Sequence, residues 1–195
     1  MPYYADRKFT DKSHAEALKY YGRIDWIENN PDNIEELDVH KGIDYVFDSN
    51  GKKKTVQERF RNDKYSNFNE ITIRYERPNN SNPERRRSEY HKIVADYMTY
   101  GYIDKNMVFK KFGIFNLNVI KQRIESGDII INTCVNYDGK PIQQKCVVDK
   151  PNLLAGFQIN KDDSSNFICI NPKKYLELWP EDREELVVYS FGEFV

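Results

Sequence analysis

The sequence predicts an α/β (α+β) fold, with a central mixed, largely antiparallel sheet flanked by helices. Three observations predict it. Apolar residues recur at helical spacing near the N-terminus. Several short runs alternate apolar and polar residues as half-buried strands do. An Asn-Gly pair, Asn50-Gly51, stands between two of those runs and signals a hairpin. The whole length, 1–195, reads as a single domain. It carries a polar loop at 77–89 and a C-terminal strand–helix extension from about residue 150.

The elements follow in order. Ser13-His14-Ala15-Glu16 has the capping-box form, and Ala17, Tyr20, Tyr21, Ile24 and Ile27 continue at roughly helical spacing. A helix is therefore expected over 13–29, ended by Asn29-Asn30-Pro31. Residues 37–47 (LDVHKGIDYVF) are rich in β-branched and aromatic residues and read as a strand. After the Asn-Gly turn, residues 53–60 (KKTVQERF) read as the return strand. Residues 62–69 form a loop, and Ile71, Ile73 and Tyr75 alternate with polar residues in the next strand. Beyond the polar loop, strands are expected in 92–103 and 111–117, then a short helix in 118–126 stopped by Gly127. The last third holds a strand at 167–171, a helix opened by Pro172, and a strand at 186–190.

Composition excludes several classes. Charged residues are 31% of the chain and mean hydropathy is −0.81, yet 11 Phe, 14 Tyr and two Trp supply core, which argues against disorder. No run approaches the ~18 apolar residues of a membrane span. The first residues, MPYYADRKFTDK, lack the apolar stretch of a secretory signal, so a cytoplasmic, intracellular protein without membrane partners is expected. Cys134, Cys146 and Cys169 are odd in number and include no CxxC, which disfavours a disulfide framework or thiolate zinc site. His14, His40 and His91 are scattered, and no phosphate-cradling glycine motif occurs.

Net charge is −1, but it is unevenly laid out. Residues 24–50 carry eight acids and one base, and residues 51–92 carry twelve bases and six acids. Residues 177–195 carry six acids against Arg183. This layout suits a metal site beside a phosphate-binding face, and equally a mixed solvated surface.

The first hairpin concentrates the chemistry. Alternation along a strand puts Thr55, Gln57, Arg59 and Arg61 on one face, and Val56, Glu58 and Phe60 on the other. The turn brings Asp44 near Gln57, where a carboxylate and an amide oxygen can share a divalent ion. A cation two residues on, Arg59, can stabilise charge developing on a phosphate.

These residues resemble the PD-(D/E)XK, restriction-endonuclease-like nuclease superfamily of phage and bacterial type. The matching segments are Gly42-Ile43-Asp44-Tyr45 and Thr55-Val56-Gln57-Glu58-Arg59, set after a helix carrying Glu16. The resemblance implies a restriction-endonuclease-like core and Mg²⁺- or Mn²⁺-dependent endonuclease cleavage of DNA. It implies Asp44 as main metal ligand, Gln57 as a second, Arg59 at the family's Lys position, and Glu16 as a further carboxylate. Gln57 stands where an acid is usual, and Arg59 stays protonated and cannot be a general base. Those departures leave a second implication, a catalytically inactive nuclease-fold protein that binds nucleic acid or acts as an inhibitor. A purely structural protein with charged contact patches is a third reading. Cleavage of both DNA strands is served by a homodimer or by two successive nicks.

Each residue also has a plainer reading. Glu16 completes a capping box. Glu58, by parity, belongs in a surface salt bridge or under a helix. Arg61 shares parity with Gln57 and Arg59 and is the best DNA-contact candidate of its group. Arg74 either lines a DNA face or pairs with an acid, and Arg85, Arg86 and Arg87 either contact phosphates or decorate a solvated loop. Asp96 is either a buried polar partner or close to the site, and Asp38 either adds a carboxylate or is a loop acid. The Tyr-rich strands supply core unless their rings are exposed for base stacking.

Overall fold

The computed structural model describes residues 2–86, 88–131, 152–160 and 165–195, and side chains there except at 2–7, 84 and 85. In chain order the elements are α1 (Pro2–Tyr21), β1 (Ile27–Glu28), α2 (Ile34–Lys41), β2 (Tyr45–Ser49), β3 (Lys52–Asn62) and β4 (Ile71–Glu76). Next come α3 (Pro83–Arg86), α4 (Glu89–Lys92), β5 (Tyr97–Ile103), β6 (Phe109–Asn116), α5 (Leu117–Glu125) and β7 (Ile129–Ile131). The chain closes with β8 (Leu153–Ile159), β9 (Asn166–Ile170), α6 (Pro172–Leu178), α7 (Arg183–Leu186) and β10 (Val187–Phe191). The fold is the mixed α/β type expected, with two mixed, largely antiparallel sheets flanked by helices. The chain forms two compact units: 1–68 with 95–117 and 187–195, and 69–94 with 118–186.

The first unit holds the six-stranded sheet β1-β2-β3-β5-β6-β10. All neighbours are antiparallel except β3 and β5, which run parallel with Val56 opposite Tyr97 and Glu58 opposite Thr99. An aromatic core lies between α1 and one face of this sheet. Tyr20 stacks on Phe112 at 4.8 Å and Phe191 at 5.0 Å, and Tyr21 lies 4.2 Å from Phe47. Helical spacing in α1 presents Ala17, Tyr20 and Tyr21 together, and all three are buried.

The second unit holds the sheet β4-β9-β8-β7, parallel only between β7 and β8. Cys169 is buried in β9, whereas Cys134 and Cys146 lie outside the described residues. Arg123 on α5 gathers this unit's acids. It makes a two-pronged contact with Asp182 at 3.0 Å on both prongs and reaches Asp128 at 3.1 Å. The Tyr175 hydroxyl donates to Asp182 at 2.5 Å, and the Arg123 guanidinium lies 4.8 Å from the Trp179 ring.

Three elements differ from the sequence reading. The first helix starts earlier and stops at Tyr21, because Gly22 opens a 3-10 turn and Asp25 takes a left-handed conformation (φ 56°). Ser13 therefore sits inside the helix, where its hydroxyl donates to Phe9 O at 2.8 Å instead of capping. Residues 37–41 are helical, and only Tyr45 onward is strand. Glu35 and Glu36 in the first turn, His40 and Lys41 in the last, and Gly42 at φ 60° as C-cap are helix signals that outweigh the β-branched residues. The 92–103 run gives strand only from Tyr97, with α4 before it.

Candidate functional site

The hairpin forms as the Asn-Gly pair predicts. Ser49 pairs with Lys52, and Asn50 and Gly51 adopt φ of 50° and 75°, the twist that a two-residue turn requires. This register carries Asp44 back to β3. Its N–H donates to Val56 O at 2.9 Å, and its Oδ2 accepts the Glu58 N–H at 2.7 Å. Asp44 and Gln57 are thus brought alongside each other in the chain path. Gln57 is only 6% exposed, and its Oε1 meets no donor among the described residues.

The face assignment on β3 also holds. Tyr21 Oη donates to Glu58 Oε1 at 2.7 Å and lies 2.6 Å from Thr99 Oγ1, so Glu58 faces α1. Alternation then turns Gln57, Arg59 and Arg61 to the opposite face. The carboxylate under the helix is well occupied. His14 Nδ1 lies 3.0 Å from Glu58 Oε2, and His14 Nε2 lies 3.3 Å from Glu28 Oε2. Tyr45 stacks on the imidazole at 3.6 Å between ring centres. Burial lowers the His14 pKa, but hydrogen bonds and charge from Glu58 and then Glu28 outweigh it, so the net shift is upward. Burial first, then Glu58, holds the Tyr21 phenol well above its usual pKa, so it is a neutral donor.

Asp44 is also strained electrostatically. Burial raises its pKa, the Asp38 carboxyl adds repulsion and a side-chain hydrogen bond, and nearby Glu58 adds more. The Glu58 N–H opposes these effects, and the net shift is strongly upward. Asp38 acts on Asp44 from α2, not from a loop or from the strand expected over 37–47. Two carboxyls in contact need a shared proton or a cation between them.

The other predicted residues are placed as follows. Glu16 pairs with Lys19 on its own helix, while His14 and Tyr21 are α1 residues that reach β3. Arg74 pairs with Glu89 at 2.8 Å, the acid-pairing alternative read for it. Arg86 Nε donates to Asn80 O at 2.7 Å. Arg87 and the Arg85 side chain lie outside the described residues. Arg74 and Arg86 belong to the second unit, whereas Asp44, Gln57, Arg59, Arg61 and Glu16 belong to the first. Asp96 is a polar partner: its Oδ2 accepts the Thr55 hydroxyl at 2.7 Å and ties the start of β5 to β3.

Among the described residues, no group of three or more His, Cys, Asp or Glu side chains is arranged to hold a metal ion. Oxygens near the hairpin include the Asp44 carboxyl, on which Asp38 acts, and the buried amide oxygen of Gln57.

Sequence reasoning passed over two residues in the 62–69 loop. Tyr65 remains 42% exposed and Phe68 61% exposed. The Arg61 guanidinium lies 5.8 Å from the Tyr65 ring centre and Lys64 Nζ lies 4.8 Å from it. The available signal was two aromatics within an otherwise polar loop that follows the basic strand. No helix among the described residues is long and apolar enough to cross a membrane. No protein-family model, curated protein or solved structure matches the chain.

Proposed function

We propose that this protein binds DNA through the basic strand β3. One observation carries the reading. β3 carries five cations, Lys52, Lys53, Lys54, Arg59 and Arg61, against one carboxylate, Glu58, and that carboxylate is turned under α1 with its side chain 2% exposed. His14 and Tyr21 engage it there, so it does little to offset the strand's cations outside. Phosphate-directed binding of this kind weakens steeply with salt. The test is DNA affinity at several salt concentrations. Each of Lys53→Ala, Arg59→Ala and Arg61→Ala is expected to reduce the salt slope by about one. An affinity that ignores salt and these substitutions sinks the reading.

A second reading, endonuclease hydrolysis of the bound DNA, is favoured by the Asp38 carboxyl acting on Asp44 and by the buried amide oxygen of Gln57, which meets no donor among the described residues. Those oxygens suit Mg²⁺ or Mn²⁺, with Asp38 in the place that Glu16 was expected to take. A bound divalent cation would supply an activated water and offset phosphate charge. On this reading Arg59 adds a fixed positive charge for the phosphate, and a cytoplasmic homodimer could present two such sites to a duplex. Nicking of supercoiled plasmid with Mg²⁺ or Mn²⁺ tests it, against EDTA and Asp44→Ala controls. Cleavage lost in both controls supports hydrolysis, and a folded protein that binds but never nicks removes it.

A further inference from the structure

We infer that the turn after β3 is a stacking platform for the bases of single-stranded DNA, an inference that rests on the DNA-binding reading above. Tyr65 and Phe68 are three residues apart and both expose their rings to solvent. Their backbone is nevertheless fastened. Asn62 Oδ1 accepts the Lys64 N–H at 3.1 Å, the Ser66 N–H donates to Asp63 O at 2.8 Å, and the Phe68 N–H donates to Tyr65 O at 3.0 Å. The hydroxyl of Tyr102, itself buried in β5, donates to Phe68 O at 2.5 Å. The rings are thus presented from a hydrogen-bonded turn, so little ordering is needed when a base stacks on them.

The surrounding charge selects the occupant. Arg61 and Lys64 flank the Tyr65 ring, and Arg59 stands two residues before Arg61 on β3. Asp63 is the one acid between Arg61 and Phe68. Exposed rings edged by cations match a ligand that alternates flat π faces with phosphates. Inside a duplex those base faces are covered by neighbouring pairs, whereas an unpaired strand offers them. The platform therefore discriminates for single-stranded DNA, and stacking on it is tolerant of sequence.

The test is fluorescence anisotropy at low salt with labelled oligo-dT of about twelve nucleotides, within the span such surfaces cover, and with a duplex of equal length. The full chain and its Tyr65→Ala, Phe68→Ala and Tyr65→Phe variants are compared. We expect the single strand to bind about tenfold more tightly than the duplex, and each Ala variant to lose about tenfold on the single strand only. Tyr65→Phe keeps the stacking face and should keep the affinity. Both rings are exposed, so the variants should melt with the parent protein. In Tyr65→Trp the new indole should be quenched by oligo-dT, because Trp26 and Trp179 are buried. Equal binding of single strand and duplex, unchanged in the Ala variants, overturns the platform and leaves DNA binding standing. No binding of either DNA overturns both. Tighter binding of oligo-U than oligo-dT overturns the assignment to DNA. Self-association that disappears in the Ala variants assigns the rings to a second copy instead, and overturns it as well.

Discussion

His14 and Glu58 meet at 3.0 Å where α1 crosses β3, and Glu28 closes on the other imidazole nitrogen at 3.3 Å. Neither acid competes with the other for a nitrogen, so the protonated ring satisfies both. The folded-state pKa of His14 is above its ordinary 6.5. The ion pairs therefore stabilise the fold fully below pH 6.5 and fade as pH rises through the raised value. We expect His14→Gln to lower the melting temperature clearly at pH 6 and much less at pH 9. An equal loss at both pH values would show that packing against Tyr45, not charge, is what His14 contributes.

Asp44 follows the same pH direction, stability falling as pH rises, but here the substitution should stabilise. Burial and the Asp38 and Glu58 carboxyls raise its pKa, so its ionised form is disfavoured in the fold above the ordinary carboxylate range. Asparagine keeps an oxygen for the Glu58 N–H and removes the repulsion. Asp44→Asn should therefore raise stability by about 1 kcal/mol at pH 7 and have less effect at pH 3. Denaturant unfolding at the two pH values measures this. A clear loss of stability at pH 7 would show that the carboxylate is paired by a group that outweighs Asp38. A gain would mark Asp44 as a residue kept at the expense of stability, as functional residues often are.

Arg123 should be irreplaceable by lysine. Its guanidinium meets both oxygens of Asp182 while also reaching Asp128 and lying against Trp179. An ammonium cannot reproduce that planar fork. We expect Arg123→Lys to cost about 2 kcal/mol and Arg123→Ala more, measured by chemical unfolding. The Asp182 pKa is lowered, chiefly by its hydrogen bonds from Arg123. The contribution should thus be present above the ordinary carboxylate pKa of 3.8 and fall away as pH drops below it.

Gly192 should not tolerate a side chain. It sits at φ 73°, and a Cβ there would lie 2.1 Å from Lys110 O. The strained backbone and the clash act together, so Gly192→Ala should cost about 3 kcal/mol or more. It should also loosen the packing of buried Phe194 against Tyr100, visible in near-ultraviolet circular dichroism. Near-parental melting of this variant would show that the chain end can shift away from β6 without loss.

Local chemistry was the legible part. The Asn50-Gly51 turn, the strand positions of β3 and β4, the Pro172 helix start and the α/β class were all readable, because each is fixed by residues adjacent in the chain. The facing of Glu58 away from Gln57 was readable for the same reason, since strand parity needs no partner. Helix α2 was misread because β-branched residues were weighed above the charges and Gly42 that terminate a helix.

What tertiary structure alone decided was which polar groups meet. His14 rather than Glu16 reaches β3, because the helix runs earlier than its capping-like tetrad implied and position 14 falls on the sheet-facing side. Asp38 arrives at Asp44 from a helix instead of a strand, and Tyr65 and Phe68 are left in solvent where other Tyr and Phe rings fill the core. The sequence by itself determined the elements and the faces of its strands, through periodicity and turn chemistry. The contacts of residues 44 positions apart, such as His14 with Glu58, depend on how a helix is rotated and shifted over a sheet, and that is set by the packing of the whole aromatic core.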